Sequence, residues 1–259
     1  MDPAELRRIA RDQLAKYDTV EIRVDEVSHV VPTDAEYALS LGTGGTVTAR
    51  RLLLATGARD ELPPIEGLTD LWGQGAFPCP HCDGWEVRDE PLGVIAAGPP
   101  GGLFALMVSN WSKDLVLCTN GPSGLDEQFL GLLGAQGIEL DERPVARVAA
   151  ESGGVQVVFA DDERLSRRAL FVPPLLRQAT ELPSQLGCEM TERGLVKVTT
   201  FGRTTVPGVY AAGDMAHPEG LIFPPPLVVA AAGFGAIAGG SIERELMVED
   251  LGLPPSLLG

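Results

Sequence analysis

The sequence predicts an α/β fold built around a parallel sheet, and three observations carry that expectation. From about residue 90, short apolar runs alternate with helix-periodic stretches, the rhythm of βαβ units. A glycine-containing turn, AAGPPG at 96–101, follows the first of these runs directly. Two further runs, LLLATGA (52–58) and VPGVYAAGD (206–214), read as buried strands ending in small-residue turns. In a parallel sheet that carboxyl edge is where ligands dock.

Taken in order, the elements begin with a helix. Asp2 suits its N-cap, Pro3 its first position, and Glu5 completes a capping-box pattern. Leu6, Ile9, Ala10, Gln13, Leu14 and Tyr17 recur at helical spacing on one mostly apolar face. TVEIRV, VSHVV, YALSL and TVTARRLLLAT follow as short strands; Pro32, Asp34, Gly42, Gly44 and Gly45 supply turns of a small antiparallel meander. LLLAT, being continuously apolar, is expected to be buried on both faces. LGVIAA, DLVLCT, VQVVFA and ALFV read as further strands; GGLFALMVSNW and LDEQFLGLLGAQ read as helices. The tail, PPPLVVAAAGFGAIAGGSIEREL, reads as a small-residue-rich helix ending in charge.

Composition narrows the function classes. The chain has 259 residues, room for one large domain or two modest ones. Its 36 acidic and 20 basic residues give a net charge of −16. That balance argues against nucleic-acid binding, which needs clustered Lys and Arg, and against docking on anionic membranes. No apolar run is long enough to span a bilayer, and MDPAELRRIARDQLAKY is charged throughout, unlike a signal peptide. A cytoplasmic location is the resulting expectation. Four cysteines in a chain of this length do not make a disulfide scaffold.

The chemistry centres on GAFPCPHCDGWEVRD (75–89), which spaces Cys79 and Cys82 as CxxC. A zinc knuckle would need a second pair of ligands, whereas Cys118, Cys188, His29, His81 and His217 are scattered singly. Two buried core cysteines are the bland alternative, which the flanking Pro80, His81, Asp83 and Gly84 disfavour. A redox dithiol is the leading reading, because the pair closes a small ring and nearby charge selects the thiol that ionises. The AAGPPG turn approximates G-x-G-x-x-G, with Ala96 in place of the first glycine and Pro99 and Pro100 removing amide donors. Both a nucleotide turn and a ligand-free βα turn stay open for it. Asp214, at the end of its strand, suits a polyol hydroxyl or an N-cap equally.

In their order along the chain, LLLATGARDELPPIEGL, CPHCDGWEVRD, AAGPPG and TTVPGVYAAGD resemble the flavin-dependent pyridine nucleotide–disulfide oxidoreductases, specifically the thioredoxin-reductase-like group. The resemblance covers nearly the whole chain. It implies two Rossmann-like domains: an FAD domain over about 1–61 and 172–259, interrupted by a nucleotide domain over about 62–171. It implies a redox disulfide of Cys79 and Cys82, with Cys82 facing the flavin, Cys79 exchanging with substrate, and Asp83 as acid/base. Thr56, Gly57 and Ala58 would lie beside FAD, Asp214 after Gly213 would bind its ribityl chain, and Gly98, Pro99 and Gly101 would meet NAD(P)H. A homodimer acting on a thioredoxin-like protein or a small-molecule disulfide or dithiol follows from the same resemblance. CPHCDGWEVRD and NWSKDLVL are also similar to a subgroup of dithiol oxidases that pass electrons through flavin to oxygen; that subgroup carries His where this chain has Asp83. The family's opening strand–GxGxxG–helix unit for the FAD pyrophosphate is not matched, since LGTGGTV (41–47) sits among short strands. The expectation is therefore an upstream start or a truncated paralogue, with weak FAD binding; a flavin-free binding protein is the reading from another class.

Overall fold

A computed structural model describes residues 2–34, 36–221 and 226–258. The chain divides into two compact units, Met1–Ala58 with Gln178–Gly259, and Arg59–Arg177. Positions 224 and 225, at the start of the expected tail segment, lie outside the described residues.

The first unit opens with α1 (Pro3–Leu14). The Asp2 carboxylate caps it, accepting the amides of Ala4 at 2.6 Å and Glu5 at 3.4 Å. Glu5 does not close the expected capping box. Its carboxylate takes two bonds from the Arg8 guanidinium one turn on, a stronger partner than a lone amide. The apolar face of α1 buries no residue, and Leu6 and Leu14 stay exposed. The expected strand at TVEIRV does not form: residues 20–24 join no ladder, and Val24 is 91% exposed. Without a ladder partner its β-branched residues have nothing to pack on. The antiparallel meander forms from β1 (Val27–Pro32), β2 (Tyr37–Leu41) and β3 (Thr46–Ala49). LGTGG makes the tight turn between β2 and β3 and opens no helix. LLLAT contributes β4 (Leu52–Leu54), buried on one face only, since Leu53 is exposed between buried Leu52 and Leu54.

The second unit carries the parallel sheet. After β5 (Ala58–Glu61) and the short helix α2 (Leu68–Leu71) come β6 (Ala76–Phe77), α3 (Pro80–Asp83) and a 3-10 turn, Gly84–Val87. Next are β7 (Leu92–Ile95), α4 (Gly98–Val108), β8 (Leu115–Cys118), α5 (Glu127–Ala135) and β9 (Glu139–Asp141). A second meander follows: β10 (Val145–Glu151), β11 (Gly154–Phe159) and β12 (Arg164–Arg167). VQVVFA therefore belongs to this antiparallel layer, while ALFV supplies β13 (Ala169–Phe171) to the parallel one. The parallel sheet runs β6-β13-β7-β8-β9. Alternation sorts its side chains. Leu92, Val94, Leu115, Leu117, Ala169 and Phe171 join Ala105, Val108 and Leu133 of the helices. Ile95, Val116, Cys118 and Leu170 face the opposite way, against Val148, Val157 and Phe159 of the meander. The sheet is thus covered on both faces, which is why its strands read as continuous apolar runs.

β14 (Leu175–Gln178) pairs with β5, and the chain returns to the first unit through α6 (Leu182–Gln185), β15 (Val196–Val198), β16 (Val209–Ala211) and β17 (Ala216–Pro218). β16 lies parallel to β4 in register Leu54↔Ala211, and β15 lies parallel to β17. The chain closes with α7 (Val228–Asp250). Its last turns hold β4 and β16 through ions: Arg51 pairs with Glu245 at 2.9 Å and Glu249 at 2.7 Å, and buried Tyr210 donates its hydroxyl to Glu245. Among the described residues no helix is long and apolar enough to cross a membrane.

Candidate functional site

In the second unit, Cys79 is the N-cap of α3, and its carbonyl accepts the amides of Cys82 and Asp83, each at 3.2 Å. Pro80 takes the first helical position, where a missing N–H costs nothing. The single turn brings the two sulfurs to 2.8 Å, with the Cys82 thiol donating to Cys79 Sγ. Both are free thiols; Cys79 is half-buried and Cys82 exposed. A small torsional change closes such a pair to a bond of about 2.05 Å.

The segment has two distinct sides. Pro80, Gly84 and Val87 are buried at helical spacing and anchor it. Gly84 sits so close to the indole of Trp111 that a Cβ there would come within 2.6 Å of the ring. This contact explains the glycine after Asp83. On the other side, Cys79, Cys82, Trp85 and Arg88 follow one another at three-residue steps, which nearly eclipse in a 3-10 turn. Trp85 is 60% exposed, and the Arg88 guanidinium stacks 3.9 Å over its ring. Sequence reading missed this pair; its signal was the i, i+3 stride continuing from the cysteines.

Electrostatics distinguish the thiols. Cys82 is pushed up to about 12, first by burial, then by its hydrogen bond to Cys79 and the charges of Cys79 and Asp83. It is therefore the member of the pair that keeps its proton. Asp83, half-buried directly after it, has its carboxyl raised by desolvation and then by Glu86. Cys118 lies fully buried in β8, its thiol also pushed up to about 12, mainly by burial. Cys188 is buried in the first unit and raised for the same main reason. Neither has the exposure that a reactive thiol needs.

Also in the second unit, the AAGPPG turn joins β7 to α4. Gly98 takes a φ of +68° and Ala97 is an N-cap without a side-chain bond. A Cβ on Gly101 would approach the Ala96 carbonyl carbon to 2.8 Å. That is the close helix–strand packing served by the last glycine of a dinucleotide turn. Donors are another matter: Gly98 N–H is given to Ser123 O at 2.8 Å, Gly101 N–H to Ala97 O at 3.3 Å, and Pro99 and Pro100 have none. The close packing of such a turn is present, while the first four positions of α4 leave no N–H free.

In the first unit, the parallel strands β4 and β16 end side by side, with Ala212 N–H donating to Leu54 O at 3.0 Å. Their turns, Thr56–Gly57–Ala58 and Gly213–Asp214, emerge together at the carboxyl edge. Gly57 and Gly213 adopt φ of +71° and +77°, and nothing lies within 4 Å of a Cβ built on Gly57. Between the turns sits buried Met215, whose sulfur faces the Thr56 amide at 3.3 Å and hydroxyl at 3.4 Å. Met215 is a further residue that motif reading passed over.

The first unit thus presents a strand-end turn pair, and the second presents a CxxC dithiol beside a βαβ sheet. The sequence profile of the pyridine nucleotide-disulphide oxidoreductases matches residues 2–235, and the chain belongs to that family. It is 34% identical over 225 residues to the thioredoxin reductase tcpT of Claviceps purpurea, an alignment spanning 82% of this chain and 70% of that protein. A thioredoxin reductase of Gibberella zeae is 30% identical over 259 residues, covering 84% and 75% of the two chains. Among solved structures, an oxidoreductase from Agrobacterium tumefaciens superposes with a TM-score of 0.85 at 33% identity, covering 95% of this chain and 81% of that one.

For FAD, the fit is partial. The open turn at Gly57, the left-handed Gly213 and the carboxylate of Asp214 suit a ring system and its polyol. Among the described residues of the first unit, however, no strand–GxGxxG–helix cradle for a pyrophosphate is present.

Proposed function

We propose that the protein is a flavin-dependent thiol–disulfide oxidoreductase whose redox group is the Cys79–Cys82 pair. The observation that carries this reading is the dithiol itself: two free sulfurs 2.8 Å apart beside a half-buried carboxyl. Closing the S–S bond releases two electrons and two protons; opening it consumes them. Cys82 holds its proton, so Cys79 is the sulfur offered for exchange with a substrate, and Cys82 is the one that passes electrons to or from the carrier. Asp83, kept protonated to higher pH than an ordinary aspartate, takes and returns one proton at Cys82. Thr56, Gly57, Ala58, Gly213 and Asp214 would hold FAD, which supplies two-electron redox capacity when bound. Trp85, with Arg88 stacked on it, offers an open ring face beside the dithiol on which a planar substrate group stacks. The substrate is a thioredoxin-like protein or a small-molecule disulfide or dithiol, in keeping with the named relatives.

Two directions follow. In a reductase, NAD(P)H supplies the electrons; in a dithiol oxidase, substrate thiols supply them and dioxygen accepts them. The start of α4 favours the second, because its first four positions leave a dinucleotide no open donor. The test is rapid mixing of FAD-reconstituted protein with NADPH or with a small dithiol while flavin absorbance is followed. Fast bleaching by dithiol alone, lost in Cys79→Ser and Cys82→Ser, supports the reading. Bleaching that survives both substitutions overturns it.

A further inference from the structure

The loop after β8 closes the β7–α4 turn from the outside. Ser123 is buried and serves both partners: its carbonyl takes the Gly98 amide at 2.8 Å, and its own amide goes to Glu142 Oε1 at 2.7 Å. The Glu142 carbonyl accepts Gly121 N–H at 3.1 Å, so Glu142 grips the loop through backbone and side chain. Gly124, next to Ser123, packs close enough that a Cβ on it would touch Gly98 Cα at 4.0 Å. The carboxyl of Glu142 is held below the usual glutamate range by its bonds to Ser123, so it is an anion at neutral pH. The one cation beside it in sequence, Arg143, is committed to Asp141 at 2.6 Å and Asp161 at 3.5 Å.

A dinucleotide pyrophosphate needs open amides and a positive field at the start of the helix. Of the four positions that open α4, two are prolines and two donate to protein carbonyls. The neighbouring Ser123 amide, a second anion donor, is already occupied by a carboxylate. An incoming phosphate would meet Glu142 repulsion with no donor in exchange from Ser123 or the first four positions of the helix.

We propose that Glu142 and Ser123 form an internal cap on the β7–α4 turn, so that the second unit carries the dithiol but does not bind NAD(P)H. The inference concerns binding alone and stands or falls separately from the thiol chemistry. The test is calorimetric titration of the full chain with NADPH, NADH and ADP-ribose, the last carrying the pyrophosphate without the nicotinamide. The wild type is expected to show no saturation up to about 1 mM ligand, the weak end of specific affinity. The triple variant P99S/P100S/E142Q, which restores two amides and removes the charge, is expected to bind ADP-ribose at least tenfold more tightly than the wild type. Saturable micromolar binding by the wild type would overturn the proposal. So would a triple variant with an unchanged circular dichroism spectrum and no gain in affinity.

Discussion

Gly84→Ala tests how the dithiol segment is held. Gly84 has φ −66° and ψ −31°, a conformation alanine adopts freely. On backbone grounds alone the substitution would stabilise the protein by about 0.4–1 kcal/mol, through the unfolded chain. Packing opposes that gain. The new Cβ would lie 2.6 Å from Cδ1 and Nε1 of Trp111 and 2.7 Å from Cγ, against 3.4–4 Å for ordinary contact. Either the indole or the segment must move by about 1 Å, and overpacking of this kind costs about 1–3 kcal/mol. Trp111 has little room to move: it packs against the helix-side core, and its carbonyl accepts the Asp89 amide at 2.8 Å. Taking the middle of each range, about 2 kcal/mol lost against about 0.7 gained, and about 4 °C per kcal/mol for a unit of roughly 120 residues, a net loss of about 5 °C is expected. A displacement of that size next to Asp83 is also expected to slow disulfide closure about tenfold or more. Differential scanning fluorimetry and peroxide-driven loss of free thiols measure the two effects. An unchanged or raised Tm with an unaltered closure rate would refute the packing argument, because backbone entropy would then have prevailed.

Three further outcomes are expected. With its thiol pushed up to about 12, Cys82 stays protonated at pH 8, so iodoacetamide should label it after Cys79 although it is the more exposed; peptide mass spectrometry reads the order, and faster labelling of Cys82 would contradict the assignment. A carboxyl raised by burial destabilises the fold as pH climbs through its titration, so Asp83→Asn should raise Tm at pH 7, with the gain vanishing below about pH 4. The same variant should slow thiol exchange by about 100-fold and erase the acidic limb of its pH profile, whereas an unchanged profile would remove Asp83 from proton transfer. Trp85→Ala should raise the KM for a planar disulfide while leaving kcat intact and stability within about 0.5 kcal/mol, and an unchanged KM would make the stacked pair mere surface.

Much of the second unit was legible because both faces of its sheet are covered, which writes β7, β8 and β13 as plain apolar runs between helix-periodic stretches. The dithiol was legible for a local reason: Cys79, Cys82 and Asp83 lie within a single turn, so spacing alone brings them together. The cap on α4 was not, because Ser123 and Glu142 are 19 residues apart and meet only through the fold of the β8 and β9 loops. Met215 escaped for the same reason, reaching Thr56 across 159 residues. In the first unit, α1 and LLLAT carried apolar patterns that promised more burial than they receive, since pattern records what a face could cover and not whether a partner is present. TVEIRV has the composition of a strand but no ladder to join.

The central claim is that Cys79 and Cys82 cycle between dithiol and disulfide as the working redox group. Equilibrating the protein in glutathione or dithiothreitol buffers of graded potential, trapping by acid and mapping the linked peptide tests it directly. The account predicts one reversible transition, confined to a Cys79–Cys82 cross-link, with a midpoint in the range of about −270 to −120 mV spanned by thiol–disulfide oxidoreductases. Two thiols that stay reduced across that range, or a cross-link that forms to Cys118 or Cys188 instead, would contradict it.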